Sequence, residues 1–397
     1  MNAPSLPEPA ADVSAEQRNS LHMLMIGARP PPPTGQSIAF EVLLDAFARY
    51  GKAEVIDLAE RYGRRDRAFS SRRAISVLGL GLQLARWLTQ VQAVYMQIAQ
   101  SRWGLLRDCL YILIAKAARR PVVTHLHGGG YGDFYRSEPR LIRRIIRHAL
   151  THVDRMIVLS DALRENFSFM GKDFEARLRS VANPCPIPTG HSRSAPRGAL
   201  KLLYLSNLVV EKGYLDCVDA MVHVRRLLPD VSVKLTLAGA PVLSADHYTD
   251  IADLVASLRK HIRYLGLEEN VEVAGVVIGD EKLRLLDEAH IMLLPTFYRN
   301  EGQPIALIEA LASGVPFVAT AWRGIRDLQD EDVGLIVPAK SPVSIAEAVA
   351  LLVRSPERYQ RMSQNAIALS ARYGQERHID QMIGIFREVC ETHGRSG

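Results

Sequence analysis

The feature that most constrains the fold is one pattern repeated along nearly the whole chain. A short apolar, β-branched run is followed by a glycine or polar turn and then by a longer helical segment. Strands joined through helices in this way run parallel and are covered on both faces, which defines a doubly wound α/β sheet. The pattern occurs twice over. Strands are predicted near 23–27, 54–57, 93–98, 122–125, 155–159 and 178–181, and again near 200–205, 231–238, 271–273, 291–294, 317–319 and 334–337. Between the two series lies Asn-Pro-Cys-Pro-Ile-Pro-Thr-Gly-His-Ser-Arg-Ser-Ala-Pro-Arg-Gly, whose four prolines continue neither helix nor sheet interior. The expected organisation is a disordered leader (1–20), a Rossmann-like lobe (21–183), a linker (184–198), a second Rossmann-like lobe (199–375) and a C-terminal helix (376–397) returning to the first lobe. In open α/β sheets ligands bind beyond the carboxyl ends of the strands, so the chemistry belongs on post-strand loops facing an interlobe cleft.

Composition narrows the function classes. The four cysteines form no C-x-x-C pair and lie beside no histidines at metal spacing, which argues against a zinc site or disulfide framework and fits a reducing compartment. No basic-then-apolar leader reads as a signal peptide, and no uncharged apolar run is long enough to span a bilayer. Of 397 residues the net charge is +6, but residues 61–147 hold 17 Lys and Arg against four acids. Arg136, Arg140, Arg143, Arg144 and Arg147 recur at helical spacing among Leu141, Ile142, Ile145 and Ile146, and Arg61, Arg64, Arg65, Arg67, Arg72 and Arg73 form a second cluster. Such a face suits an anionic membrane surface. It lacks the interleaved aromatics of a nucleic-acid platform, so nucleic acid is not an expected partner.

The sharpest local signal runs from Leu294 to Pro316. A strand ending at Leu294 leads through a polar loop to Pro304, a favourable helix start, and the helix stops at Gly314 and Pro316. Free amides at that start, including those of Gly302 and Gln303, make an anion site. Glu309 is the only charge between Gly302 and Trp322 on a helix apolar nearly all round, so burial would oblige it to find a hydroxyl or cationic partner such as a ribose diol. Glu301 could meet a second polyol. Asn207 and Lys212 follow the first strand of the second lobe, where a lysine can neutralise a diphosphate. The first lobe opens with a glycine turn reaching Gly35, and His127 with Gly128, Gly129 and Gly130 follows its fourth strand.

Together these residues resemble glycosyltransferase family 4, retaining enzymes of the GT-B fold, over about 21–373. The Glu301/Glu309 pair ahead of Ala-Leu-Ala-Ser-Gly-Val-Pro, after Glu-Lys-Gly, carries the resemblance. It implies that Glu301 contacts donor-sugar hydroxyls, Glu309 the nucleotide ribose, and the Gly302 and Gln303 amides the sugar and phosphate. It further implies that Lys212 binds the diphosphate, Gly35 belongs to the N-terminal glycine loop and His127 lies near the reacting sugar. Where many members carry an arginine shortly before the lysine, this chain has Asn207. That leaves open whether the diphosphate leans on Lys212 and the helix amides alone or whether Asn207, Arg299 or Arg323 completes the site. The implied activity is transfer of a sugar from a nucleotide-sugar donor to a hydroxyl acceptor, with a lipid-linked saccharide in bacterial surface or exopolysaccharide assembly as acceptor. The implied place is the cytoplasm, at the inner face of the cytoplasmic membrane. No cofactor or metal is expected, since Asp330-Glu-Asp332 precedes a strand and reads as a solvated turn. The alternatives are a nucleotide-sugar epimerase or hydrolase on the same fold and a non-catalytic basic binding protein.

Overall fold

The computed structural model describes residues 21–30, 34–58, 81, 83–196, 198–243 and 248–394. The leader and the cluster from Arg61 to Arg73 lie outside the described residues. Two six-stranded, wholly parallel sheets form the frame. The first holds β1 (Leu21–Gly27), β2 (Gly51–Asp57), β3 (Ala93–Gln97), β4 (Val122–Leu126), β5 (Arg155–Val158) and β6 (Leu178–Ser180) in the order 2-1-3-4-5-6. The second holds β7 (Ala199–Leu205), β8 (Ser232–Ala238), β9 (Val271–Gly275), β10 (Ile291–Leu294), β11 (Phe317–Ala319) and β12 (Gly334–Ile336) in the order 12-11-10-7-8-9. Each of the twelve apolar runs is a strand, and the fold is the expected pair of doubly wound lobes.

Both faces of each sheet are covered, which is why central strands such as β3, β4 and β10 are buried at every position. In the first sheet, Leu24, Val94 and Val122 pack under the helix Arg102–Ala117, while Met23, Tyr95 and Ile157 pack under the helices Gly35–Phe47 and Gln375–Gly394. The last helix is therefore part of the first lobe's core. Phe386 meets Tyr95 edge-on at 5.5 Å and Phe47 at 6.2 Å, and Glu388 takes Arg155 and Arg179 at 2.5 and 3.0 Å. The proline-rich segment is strapped to the second lobe. Cys185 enters that core, Gly190 N donates to Ala312 O (2.7 Å), and Arg193 Nε donates to Ser313 O (2.7 Å). Strand order reverses between β1 and β3 in one sheet and between β7 and β10 in the other, so the ligand crevices open at those two points.

Three buried histidines converge where the last helix meets the end of the first sheet. Burial holds His125 well below the ordinary imidazole value, His127 at about 3 and His378 at about 4, and His378 Nδ1 donates to Ala182 O (2.8 Å). Each stays neutral in the folded chain while the unfolded chain binds a proton below pH 6.5, so their stabilisation is present above that pH and is lost on acidification. For His378 the loss between pH 7 and pH 5 is about 2 kcal/mol. The variant His378→Gln, followed by denaturant unfolding at both pH values, is expected to lose that much less stability than wild type. An identical loss would contradict the assignment.

Candidate active site

Two loops at the switch point of the second sheet build the charged centre. After β7 the chain turns through Ser206 and Asn207 to the 3-10 turn Val210–Lys212, and after β10 it passes Thr296 and Glu301 before the helix Ile305–Ala312. Phe297 N donates to Glu211 O (2.7 Å) and joins the two loops, while the loop after β11 holds the second of them through Trp322 Nε1 to Tyr298 O (2.7 Å) and Thr320 Oγ1 to Thr296 O. This places Lys212 Nζ 3.3 Å from Glu301 Oε2, 3.1 Å from Ser206 Oγ and 5.7 Å from the Tyr298 ring centre. Thr296 Oγ1 donates to the same Glu301 oxygen (3.2 Å). Glu301 is 6% exposed, so the pair is nearly dry, and each charge depends on the other to offset its desolvation.

Glu309 is buried on the helix Ile305–Ala312, and its partner within the chain is a cation. Lys282 Nζ, from the helix Gly279–Glu288, lies 2.5 Å from Glu309 Oε1. Burial pushes the Glu309 carboxyl above its ordinary value, and Lys282 pulls back against that shift. Sequence reasoning missed Lys282 because nothing in its charged helix distinguishes it. Asn207 is exposed, with its carbonyl accepting from Tyr204 OH (3.0 Å). Gln303 is occupied between the lobes: its Oε1 accepts from Asn183 N (2.8 Å) and its carbonyl from Asn183 Nδ2 (3.0 Å). The amides of Gly302 and Gln303 enter no backbone hydrogen bond among the described residues. Arg299 is exposed, and Arg323 is ion-paired with Asp133 of the first lobe. Around the Asp330-Glu-Asp332 turn, Glu331 pairs with Arg372 (2.5 Å) and Asp332 with Arg361 (2.8 Å).

The first lobe closes the site with backbone. Gly35 starts its helix beside Ile305, where an added Cβ would lie 3.4 Å from the Ile305 Cδ1 atom. A Cβ on Gly129 would fall 1.8 Å from Glu301 O, and one on Gly302 would fall 2.0 Å from His127 O. The two loops approach so closely that neither position accepts a side chain. Asp133–Arg323 and Glu165–Arg326 (2.6 Å) flank this seam. Behind it, Gln97 ties the pieces together from the end of β3. Its Oε1 accepts from Gln36 Nε2 (3.0 Å) and Ala28 N (3.2 Å), and its Nε2 donates to His127 Nε2 (3.1 Å). The His127 ring proton is thereby set on Nδ1, a buried atom that faces the Asn183 side chain. Gln97 was legible in principle as the polar residue closing a buried strand. The structure thus gathers Lys212, Glu301, Gly302, Gln303, Gly35 and His127 around one seam, while the Asn207 side chain stays at the surface. A hollow of about 540 Å³, lined by Arg225, Ser232, Leu267 and Asn270, opens at the amino ends of β8 and β9, the opposite edge of the sheet from this chemistry.

Comparison with known proteins bears on the fold and on the general activity. The family model described as "Glycosyl transferases group 1" matches residues 192–369, which include Lys212, Glu301 and Glu309. The alpha-D-kanosaminyltransferase of Streptomyces kanamyceticus is 27% identical over 299 residues, 70% of this chain and 73% of that protein. A putative colanic acid biosynthesis glycosyltransferase, WcaL of Escherichia coli K12, is 28% identical over 161 residues, 39% of this chain and 36% of its own length. Among solved structures, Anabaena HepE in complex with UDP superimposes with a TM-score of 0.70 at 16% identity, covering 93% of this chain and 100% of that one. The architecture is GT-B. The protein is a glycosyltransferase with its polar centre at the interlobe seam.

Because each lobe has its own core, the seam can be disturbed without unfolding either. Gly129→Ala is expected to lower transferase kcat/KM by about two orders of magnitude, the scale of an ångström-sized misplacement of catalytic groups. Its thermal midpoint should stay close to wild type. Wild-type turnover by this variant would show that the seam does not assemble the site.

Proposed function

We propose that the protein is a retaining glycosyltransferase of family 4 that moves a sugar from a nucleotide-sugar donor to a hydroxyl acceptor. The observation that carries this reading is the nearly dry Lys212–Glu301 pair at the switch point, roofed by a glycine loop from the other lobe. Loss of a nucleoside diphosphate develops negative charge on its oxygens. Lys212 and the amides of Gly302 and Gln303 are suited to receive that charge, being fixed before the reaction and screened from water. When the diphosphate binds, Lys212 turns part of its charge from Glu301 to the phosphate. Glu301 is then free to accept hydrogen bonds from donor-sugar hydroxyls, and Glu309 with Lys282 faces the ribose. Gly35 lets the first lobe approach the donor, and the neutral His127 offers Nδ1–H as a donor toward the sugar. The bond from the anomeric carbon to the diphosphate breaks as the acceptor oxygen adds on the same face, and the acceptor's hydroxyl proton passes to the departing diphosphate oxygen; no side chain is assigned as general base.

No metal ion is required by this reading, since lysine and amides perform the neutralisation. The similarity to WcaL, named for colanic acid biosynthesis, supports a role in bacterial polysaccharide assembly. Within that role, the acceptor in this reading is a lipid-linked saccharide. HepE, solved with UDP, makes a uridine nucleotide the first donor to try. No helix among the described residues is long and apolar enough to cross a membrane, which is compatible with work at the inner membrane face.

Lys212→Ala is expected to lower kcat/KM by about two orders of magnitude or more, since its contact strengthens in the transition state. Glu301→Ala should cost more in kcat than in affinity for free nucleoside diphosphate. Activity should persist in excess EDTA, and release of nucleoside diphosphate should depend on added acceptor. A chelator-abolished, metal-restored activity would transfer the role of Lys212 to a cation. Acceptor-independent release would favour a hydrolase.

A further inference from the structure

The helix Arg140–Leu150 presents a charge problem that the fold leaves unsolved. Arg140, Arg143, Arg144 and Arg147 stand three and four residues apart, so each lies beside like charges on one helical surface. None of the four guanidiniums meets an acceptor or a carboxylate among the described residues. The nearest acids in sequence are committed elsewhere: Asp133 to Arg136 and Arg323, Glu138 to Arg102 at 2.7 Å, and Asp154 to Lys116 at 3.3 Å. Together the four arginines and Tyr135 line a hollow of about 370 Å³, whose aromatic wall is fixed by the Phe169 ring stacked 3.6 Å from Tyr135. Four unneutralised guanidiniums around one concavity form a receptor for phosphate oxygens.

The surroundings indicate where such phosphates sit. Leu141, on the same helix, is 69% exposed, and Ile145, one turn on, is exposed as well. The helix Arg102–Ala117 packs alongside and exposes Trp103 (48%) and Leu110, seven residues apart on one face. Arginines flanked by exposed leucine, isoleucine and tryptophan match the surface of a bilayer, where headgroup phosphates lie next to acyl chains. A soluble phosphate would leave that apolar surface in water, and a nucleic acid would find Trp103 as the one exposed large aromatic on these two helices among the described residues.

We propose that this arginine-lined hollow binds the phosphate headgroups of an anionic bilayer and holds the first lobe on the membrane, with Leu141 and Ile145 entering the interface. The proposal gives the reading of a lipid-linked acceptor its physical location and rests on it for purpose. Its test uses neither donor nor acceptor, so the two can fail separately. The full chain is sedimented with vesicles of phosphatidylcholine alone, or of phosphatidylcholine with phosphatidylglycerol, at low and high salt. Wild type should bind the anionic vesicles about tenfold or more better than the neutral ones, with the difference shrinking in high salt. Replacing Arg140, Arg143, Arg144 and Arg147 by serine should abolish that preference while circular dichroism stays native. The double variants Arg140→Ser/Arg147→Ser and Leu141→Ser/Ile145→Ser should each weaken binding, the second without changing charge. Equal binding to both vesicles, or no loss in the arginine variants, overturns the proposal. So does tight binding of soluble pyrophosphate or single-stranded RNA that is lost with the same arginines while vesicle binding is absent.

Discussion

Everything at the centre of this molecule depends on the approach of two stretches of backbone, the loop after β4 in the first lobe and the loop after β10 in the second. The separation at Gly129 and Gly302 is smaller than any side chain permits. That approach carries Glu301 under the first lobe, keeps the Lys212–Glu301 pair nearly dry and sets His127 against the same seam. Ion pairs on the seam, Asp133–Arg323 and Glu165–Arg326, hold the lobes in register. Surface pairs of this kind contribute little stability one at a time, so their role is alignment while the two cores supply the folding energy.

The buried charges follow one logic. Glu301 with Lys212 and Glu309 with Lys282 are carboxylate–ammonium pairs held out of water, where removal of one partner leaves a charge costing about 3–5 kcal/mol. Hydrophobic replacements would fold as well. What the pairs provide is polar capacity in a dry site: a lysine able to share its charge with an anion, and carboxylates able to take hydroxyl donors. Gln97 plays the corresponding part in the first lobe, where one amide fixes the start of a glycine turn, a helix and the tautomer of His127.

Most of the frame was legible in the sequence because it is written in local periodicity. Apolar runs such as 93–98 and 291–294 have no other place than the middle of a parallel sheet, and all twelve were found. Lys212 and Glu301 were legible because their loops follow predicted strands. Lys282 was not, since its meaning depends on a contact with Glu309 that is set by the packing of two helices. The seam was half legible: three successive glycines after a strand are conspicuous, but the loop they meet is in the other lobe. Asn207, picked out by its place in a motif, is exposed, and no contact of its side chain within the chain bears on that reading. Arg323, left unplaced by the sequence, is spent on Asp133.

In the proposed function donor chemistry takes place at the interlobe seam and not in the hollow at the opposite edge of the second sheet. Hydrogen–deuterium exchange with a panel of UDP- and GDP-sugars tests it most directly, because protection maps the occupied surface residue by residue. A donor that binds should slow exchange in 206–213, 296–309 and 127–130 and leave 225–233 and 265–270 unchanged. Protection confined to 225–233 and 265–270, or no protection at the seam from a donor the protein turns over, would contradict the account.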